Sequence, residues 1–484
     1  LFNKLDEWGI DSIVIPHGSA WGNTSPPMAS WDNQFDSSNH NQKYQKLIEL
    51  YSGHGNTEEY RPWRALDINN NTYSCPQPST NFIPYCFQAG EIIKERCRVS
   101  AGSSSECDSR AKSAREGYVM SNPFGILTIP QYNFKEWSES GQCLDCFLPA
   151  FDYRPGSSIQ YALALRNFED NKTEAYRFGF IGSSDNHGAR PGSGYKEINR
   201  IINSDSKYKS SGPLVDNSNL DASYSSIPRT QEVDLEELIL TRSGPPQLER
   251  ISSFLYTGGL VATHSSSKDR QSIWDSLNNR EVYATSGDRI LLWFDLINHP
   301  SKQIKSMGSE FELNINPIFR VRAVGSQKQL PGCNVEEELN KETILRLCNG
   351  ECFNPSDERK LITRIEVIRI RPQAYSGEPI QNLIEDPWRV FSCDPSAEGC
   401  EVEFTDDNFM NANREIIYYV RAIQEPSLAI NSSNLNCDRD DSGKCTKVNL
   451  CGDSQGQGEG DCLSEAEERA WSSPLFIKSV ADQS

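Results

Sequence analysis

Three apolar runs in this sequence end in side chains that can bind a cation. One closes on Pro16-His17-Gly18. A second carries Glu49 and runs on to His54, Asn56 and Glu58. A third ends in Ser183-Ser184-Asp185-Asn186-His187-Gly188. The chain holds only six histidines, so half of them sit at such ends. Imidazole together with carboxylate is a donor set for Zn, Mn or Fe. Asp185 and His187 are two residues apart, and on an extended chain alternate side chains point the same way. Both are therefore expected to reach one metal centre, with Ser183, Ser184 and Gly188 leaving the approach open. Any one strand-end histidine also serves well as a hydrogen-bonded structural residue. It is His17 and the Asp185-x-His187 pair together that favour metal. Glu49 suits either a ligand facing a barrel interior or an ion pair. His54 suits a ligand, an acid/base or a turn residue. His40, in Ser-Ser-Asn-His-Asn-Gln, is expected at the surface. His264 and His299 have no carboxylate in register and read as structural.

The elements that must position these groups alternate. Ser12–Ile15 reads as a short buried strand, Leu47–Tyr51 as a second, and the run ending at Asp185 as a third. Amphipathic stretches between them read as helices: 89–97, 107–116, the segment from Ser157, and the one from Ser267. Buried strands alternating with helices imply an α/β parallel sheet or barrel, in which chemistry collects at the carboxyl ends of strands. Residues 64–146 read as a cysteine-bearing insertion, and 204–228 as a polar loop. After Arg289 the texture changes to short strands with turn-rich connections, the pattern of a β-sandwich. The expected organisation is thus a barrel-like region over 1–289 and a sandwich over 290–484.

The net charge of −19 over 484 residues excludes a backbone-reading nucleic-acid binder, which needs a basic face. No run of apolar residues is long enough to span a membrane. Fifteen cysteines fall in local groups within polar loops, among them Cys75/Cys86, Cys97/Cys107 and Cys393/Cys400. That suits disulfides in a periplasmic or secreted protein better than zinc, because Cys143-x-x-Cys146 has no matching second pair. The odd count leaves one thiol over. Asp438, Asp440 and Ser442 are spaced like half of a calcium loop, but the twelfth position is Asn449. Calcium and a solvated turn both remain open there.

The segments IPHGSAWG, IELYSGHGNTEEYRPW, FGFIGSSDNHGARPG and REVYATSGDRI resemble successive signatures of a bacterial domain-of-unknown-function family, number 3604. That family is similar to the PHP (polymerase and histidinol phosphatase) metallohydrolases. The likeness extends through PGC, RIEVIRIRPQ, YYVRAIQE and ERAWSSPLFI. The resemblance implies an incomplete PHP-type distorted TIM barrel followed by a C-terminal β-sandwich accessory domain, with two or three divalent ions (Mn, Zn or Fe) at the strand ends. It implies metal roles for His17, Glu49, Asp185 and His187. The family opens with a His-x-His pair, an Asp-His and a bridging Glu, and this sequence has none of these. The remaining ligands would come from a preceding segment or a second chain.

The expected activity is metal-dependent hydrolysis of phosphate or related sulfate esters. His54 or Glu58 would protonate the leaving group. Arg61 and Arg190, with Asn186, would hold a small anionic ester, and guanidinium can do so in bidentate fashion. Arg64 and Arg289 are less directly attached to the motifs. A serine hydrolase built on Ser19 or Ser184 lacks a Gly-x-Ser-x-Gly elbow. The alternative expectation is a non-catalytic secreted structural or binding protein with a degenerate barrel.

Overall fold

All six residues of Leu47–Ser52 are buried, as a strand covered on both faces requires. They lie at the centre of the first module of a computed structural model. The model describes residues 1–17, 30–35, 39–53, 55–61, 67–69, 72–79, 84–120, 155–168, 175–186, 258–332, 340–348, 353–430, 437–439, 441, 445–448 and 463–480.

This module begins with helix α1 (Phe2–Trp8). Strand β1 (Leu47–Ser52) follows, then β2 (Gly55–Asn56) and the small hairpin β3 (Asp67–Asn69) and β4 (Thr72–Ser74). Helices α2 (Tyr85–Val99) and α3 (Ser104–Met120) pack on each other. Next come a short helix α4 (Ile159–Ala164) and strand β5 (Gly179–Gly182). The sheet order is β2-β1-β5, with β1 and β5 parallel.

Residues 12–15 were expected to form a strand of this sheet, but they form no regular ladder. They run beside β1 in the same direction, held by Val14 N–H to the Tyr44 carbonyl (2.9 Å) and Glu49 N–H to the Pro16 carbonyl (3.1 Å). Proline has no N–H to continue a ladder, which limits pairing there.

The second module contains β6 (Leu260–Thr263), α5 (Arg270–Asn278), β7 (Val282–Thr285), β8 (Leu291–Leu296), β9 (Lys305–Ser306), β10 (Glu310–Leu313), β11 (Ile318–Val324) and β12 (Gln327–Pro331). It continues with α6 (Lys341–Cys348), β13 (Phe353–Arg359), β14 (Ile362–Ile370), β15 (Ile384–Ser392), β16 (Cys400–Thr405) and α7 (Phe409–Ala412). The last strands are β17 (Glu415–Ile430), β18 (Cys437–Arg439), β19 (Cys445–Val448), β20 (Leu463–Ser472) and β21 (Leu475–Ser479). A large sheet runs β10-β21-β17-β20-β7-β6, with β14 on β17 and β15 on β14. A four-stranded sheet runs β16-β11-β8-β9. The two face each other across one core, where Phe294, Phe319 and Val321 meet Val367, Tyr418 and Val420. The C-terminal portion is therefore sandwich-like.

The other face of the large sheet is buried too. Ile370, Ile417, Tyr419 and Trp471 pack against Ile48, Leu50, Phe178, Phe180 and α4. The described residues thus form three layers, with the large sheet in the middle. Among the described residues the strands form several sheets and no barrel closes, so the incomplete TIM-type barrel expected from the sequence is not shown. β6 and β7 pair antiparallel with each other, and β7 joins β20. The physical reason is visible in β6, whose residues are mostly half-exposed, unlike a barrel strand buried on both sides. Hydrogen bonding in the large sheet consequently runs across residue 289.

Disulfides join Cys75–Cys86, Cys97–Cys107 and Cys393–Cys400, each within one of the local cysteine groups. The last ties the end of β15 to the start of β16, and so one sheet of the sandwich to the other. Cys143 and Cys146 lie outside the described residues. Asp438 sits in the β18/β19 hairpin, and Asp440 lies outside the described residues. Among the described residues no helix is long and apolar enough to cross a membrane.

Candidate metal centre

His17, Glu49 and Asp185 come together. One ligand atom from each lies within 4.8 Å of the others. Among the described residues this is the only group of three or more such donors. The three belong to segments far apart in sequence, and the fold accounts for each meeting. Glu49 is in β1, almost fully buried, and its own N–H holds the Pro16 carbonyl. That bond sets His17, the next residue and an exposed one, beside Glu49. Parallel pairing of β1 with β5 sets Glu49 opposite Ile181, and the register shifts between Glu49 and Tyr51. Such irregularities re-aim side chains next to sites. β5 ends at Gly182, and Asp185 follows three residues on.

The route from β5 to Asp185 differs from the alternation expected. The chain leaves the strand at Ser183, and Asp185 takes a left-handed conformation with φ 45°. Aspartate tolerates this region better than most residues. Its carboxylate reaches the cluster through a turn, so strand alternation does not relate it to His187, which lies outside the described residues.

The donors fit a divalent cation. Bonds of about 2.1 Å separate two ligand atoms on one ion by at most about 4.2 Å. A spread of 4.8 Å closes with side-chain movements of less than about 1 Å. One imidazole and two carboxylates suit Mn, Fe or Zn, which take nitrogen and oxygen ligands together.

Glu58 is enclosed by other partners. It is 0 % exposed. Its carboxylate accepts from Tyr419 Oη (2.6 Å), Arg421 Nε (2.6 Å) and the Trp471 indole N–H. These three donors take up the carboxylate, and none of them belongs to the His17, Glu49 and Asp185 cluster. Burial, with Asp386 and Glu59 beside it, pushes the Glu58 carboxyl up to about 7 against the pull of Arg421. Burial also opposes charge on Asp386, yet Arg421 and Arg61 hold it down at about 2.

Arg61 belongs to the same knot. It pairs with Glu59 at 3.1 Å and with Asp386 at 3.5 Å, so its charge has partners within the protein. Asn186 is half-buried directly after Asp185, and its N–H donates to Ser184 Oγ at 3.4 Å. His54 and Arg190 lie outside the described residues.

His40 was expected at the surface and is 8 % exposed. Its ring packs against Phe35, Tyr176 and Phe178, with centroids 6.3, 4.6 and 5.8 Å away. Burial holds its pKa down at about 4, with a bond to Gln45 pulling the other way. His264, read as structural, is so placed: its Nε2 lies 2.9 Å from the Leu292 carbonyl.

No curated protein and no solved structure matches the chain. Residues 158–304 match a family described as "Protein of unknown function (DUF3604)", a stretch that holds Asp185 but neither His17 nor Glu49.

Proposed function

We propose that this chain is a metal-dependent hydrolase of phosphate or related sulfate esters, acting in the periplasm or outside the cell. The observation that supports it is the convergence of His17, Glu49 and Asp185 within 4.8 Å. Bound divalent ions would supply hydroxide at neutral pH and neutralise charge on the ester oxygens. His17 would bind through a neutral ring nitrogen, and Glu49 and Asp185 as carboxylates. His187 is the further donor, and His54 the group that protonates the leaving oxygen. Arg190 and Asn186 hold the anionic ester. The three disulfides among the described residues agree with an oxidising compartment.

The test is a panel of phosphomonoesters, phosphodiesters and sulfate esters, each with and without Mn²⁺. Turnover of at least one class that depends on Mn²⁺ and falls at least about 100-fold in Asp185→Asn is expected, the order of loss for removing a group the reaction needs. Inactivity of the wild type on every ester with Mn²⁺, Zn²⁺ and Fe²⁺ would leave the non-catalytic alternative.

A further inference from the structure

Resting on that reading, we infer that Ser183 is a positioning residue that orients Glu49 toward the cation. Its hydroxyl lies 2.5 Å from Glu49 Oε2. An ionised carboxylate only accepts hydrogen bonds, so the serine donates. Occupying one oxygen from the protein side fixes the rotation of the carboxylate and directs the other oxygen. Partners of this kind hold metal ligands in place and raise their affinity.

The rest of the turn is built to keep that hydroxyl where it is. Ser183 N–H donates to the Tyr51 carbonyl at 3.0 Å, and its own carbonyl accepts from Gly259 N–H at 2.7 Å. The Ser184 carbonyl accepts from Gly53 N–H at 3.1 Å. With the backbone tied to β1 on one side and to the strap before β6 on the other, Ser183 has little freedom beyond χ1. The strap also passes against the turn: a Cβ on Gly258 would stand 2.2 Å from Ser184 Cα. A single turn thus delivers Asp185 as a donor and orients Glu49 through Ser183.

Threonine and valine have nearly the same shape and differ by the hydroxyl, which makes them the decisive pair. The probe is Mn²⁺ alone, with the free ion counted by electron paramagnetic resonance during titration of wild type, Ser183→Thr and Ser183→Val. Thermal unfolding without metal reports whether each variant is folded. The Thr variant should stay within about threefold of the wild-type Kd and the Val variant should weaken by about 10- to 100-fold. Ser183→Ala, which adds no bulk, should weaken like Val and replaces it if Val does not fold. Equal Kd for wild type and a folded variant lacking the hydroxyl overturns the role of Ser183 while leaving the metal site standing. Failure of wild type to bind Mn²⁺ overturns the site itself, and the inference with it.

Discussion

Glu58 and Arg421 lie 2.6 Å apart, Oε1 to Nε, and both are buried. They come from different layers: Glu58 follows β2 in the first module and Arg421 is in β17 of the large sheet. Around Arg421 stand four carboxylates: Glu58, Glu366 at 3.1 Å, Asp386 at 2.7 Å and Glu59 at 3.7 Å. Arg61 and Arg469 add two further cations, one fewer in all than the carboxylates, and Arg364 at the rim is shared between Glu366 and Glu467. This knot sits where the two modules meet.

Arg421→Met should therefore be severe. It leaves the carboxylates facing one another in a buried site, a kind of truncation that costs about 3–5 kcal/mol. Urea unfolding followed by tryptophan fluorescence measures it. A loss below about 0.5 kcal/mol, ordinary for surface positions, would mean the knot does not hold the modules together.

The excess of carboxylates in the knot is relieved by a proton on Glu58, whose folded pKa of about 7 stands above its ordinary 4.5. The folded state then binds a proton that the unfolded state has released. This contribution is full below pH 4.5 and is lost as pH rises to about 7, at about 1.4 kcal/mol per pH unit. Glu58→Gln removes that downward slope. Unfolding curves from pH 4.5 to 8 check it, and an unchanged slope would contradict the assignment.

His40 works in the opposite sense. Its folded pKa of about 4 lies below the ordinary 6.5, so the unfolded chain takes up the proton first. Stability is full above 6.5 and falls as pH drops toward 4, again by about 1.4 kcal/mol per unit. In the window from 4.5 to 6.5 the two groups oppose each other. His40→Leu should accordingly make the protein gain stability on acidification through that window relative to wild type. Parallel curves for the two proteins would refute this.

The sequence made some of this legible and hid the rest for physical reasons. β1 and β5 were readable because a short apolar run that stops abruptly at polar residues is the pattern a buried strand leaves. The same feature exposed His17, Glu49 and Asp185. The conformation of Asp185 was not readable, since a left-handed residue interrupts alternation without any change in composition. The enclosure of Glu58 was not readable because its partners Tyr419, Arg421 and Trp471 lie 361, 363 and 413 residues later. The aromatic box around His40 is likewise closed by Tyr176 and Phe178 from far along the chain. The pairing of β7 with β20 was not readable either, since the two strands lie far apart in sequence.

Gly258 should tolerate no side chain. Its Cβ would meet backbone at 2.2 Å, and backbone cannot yield as a flexible side chain would. Gly258→Ala should cost about 1–3 kcal/mol, as overpacking does. It should also weaken Mn²⁺ binding by displacing the turn that carries Asp185. Thermal unfolding with and without Mn²⁺ reads both effects, and a wild-type result in both would show that the strap and the turn do not touch.

The central claim is that His17, Glu49 and Asp185 share a cation. Its most direct measurement is Mn²⁺ titration of the metal-stripped wild type beside His17→Ala, Glu49→Gln and Asp185→Asn. Stoichiometric binding by wild type and affinity lowered at least about 100-fold in each folded variant is the expected result, since each removes a ligand rather than a supporting group. No binding by wild type, or equal affinity in all four proteins, would contradict it.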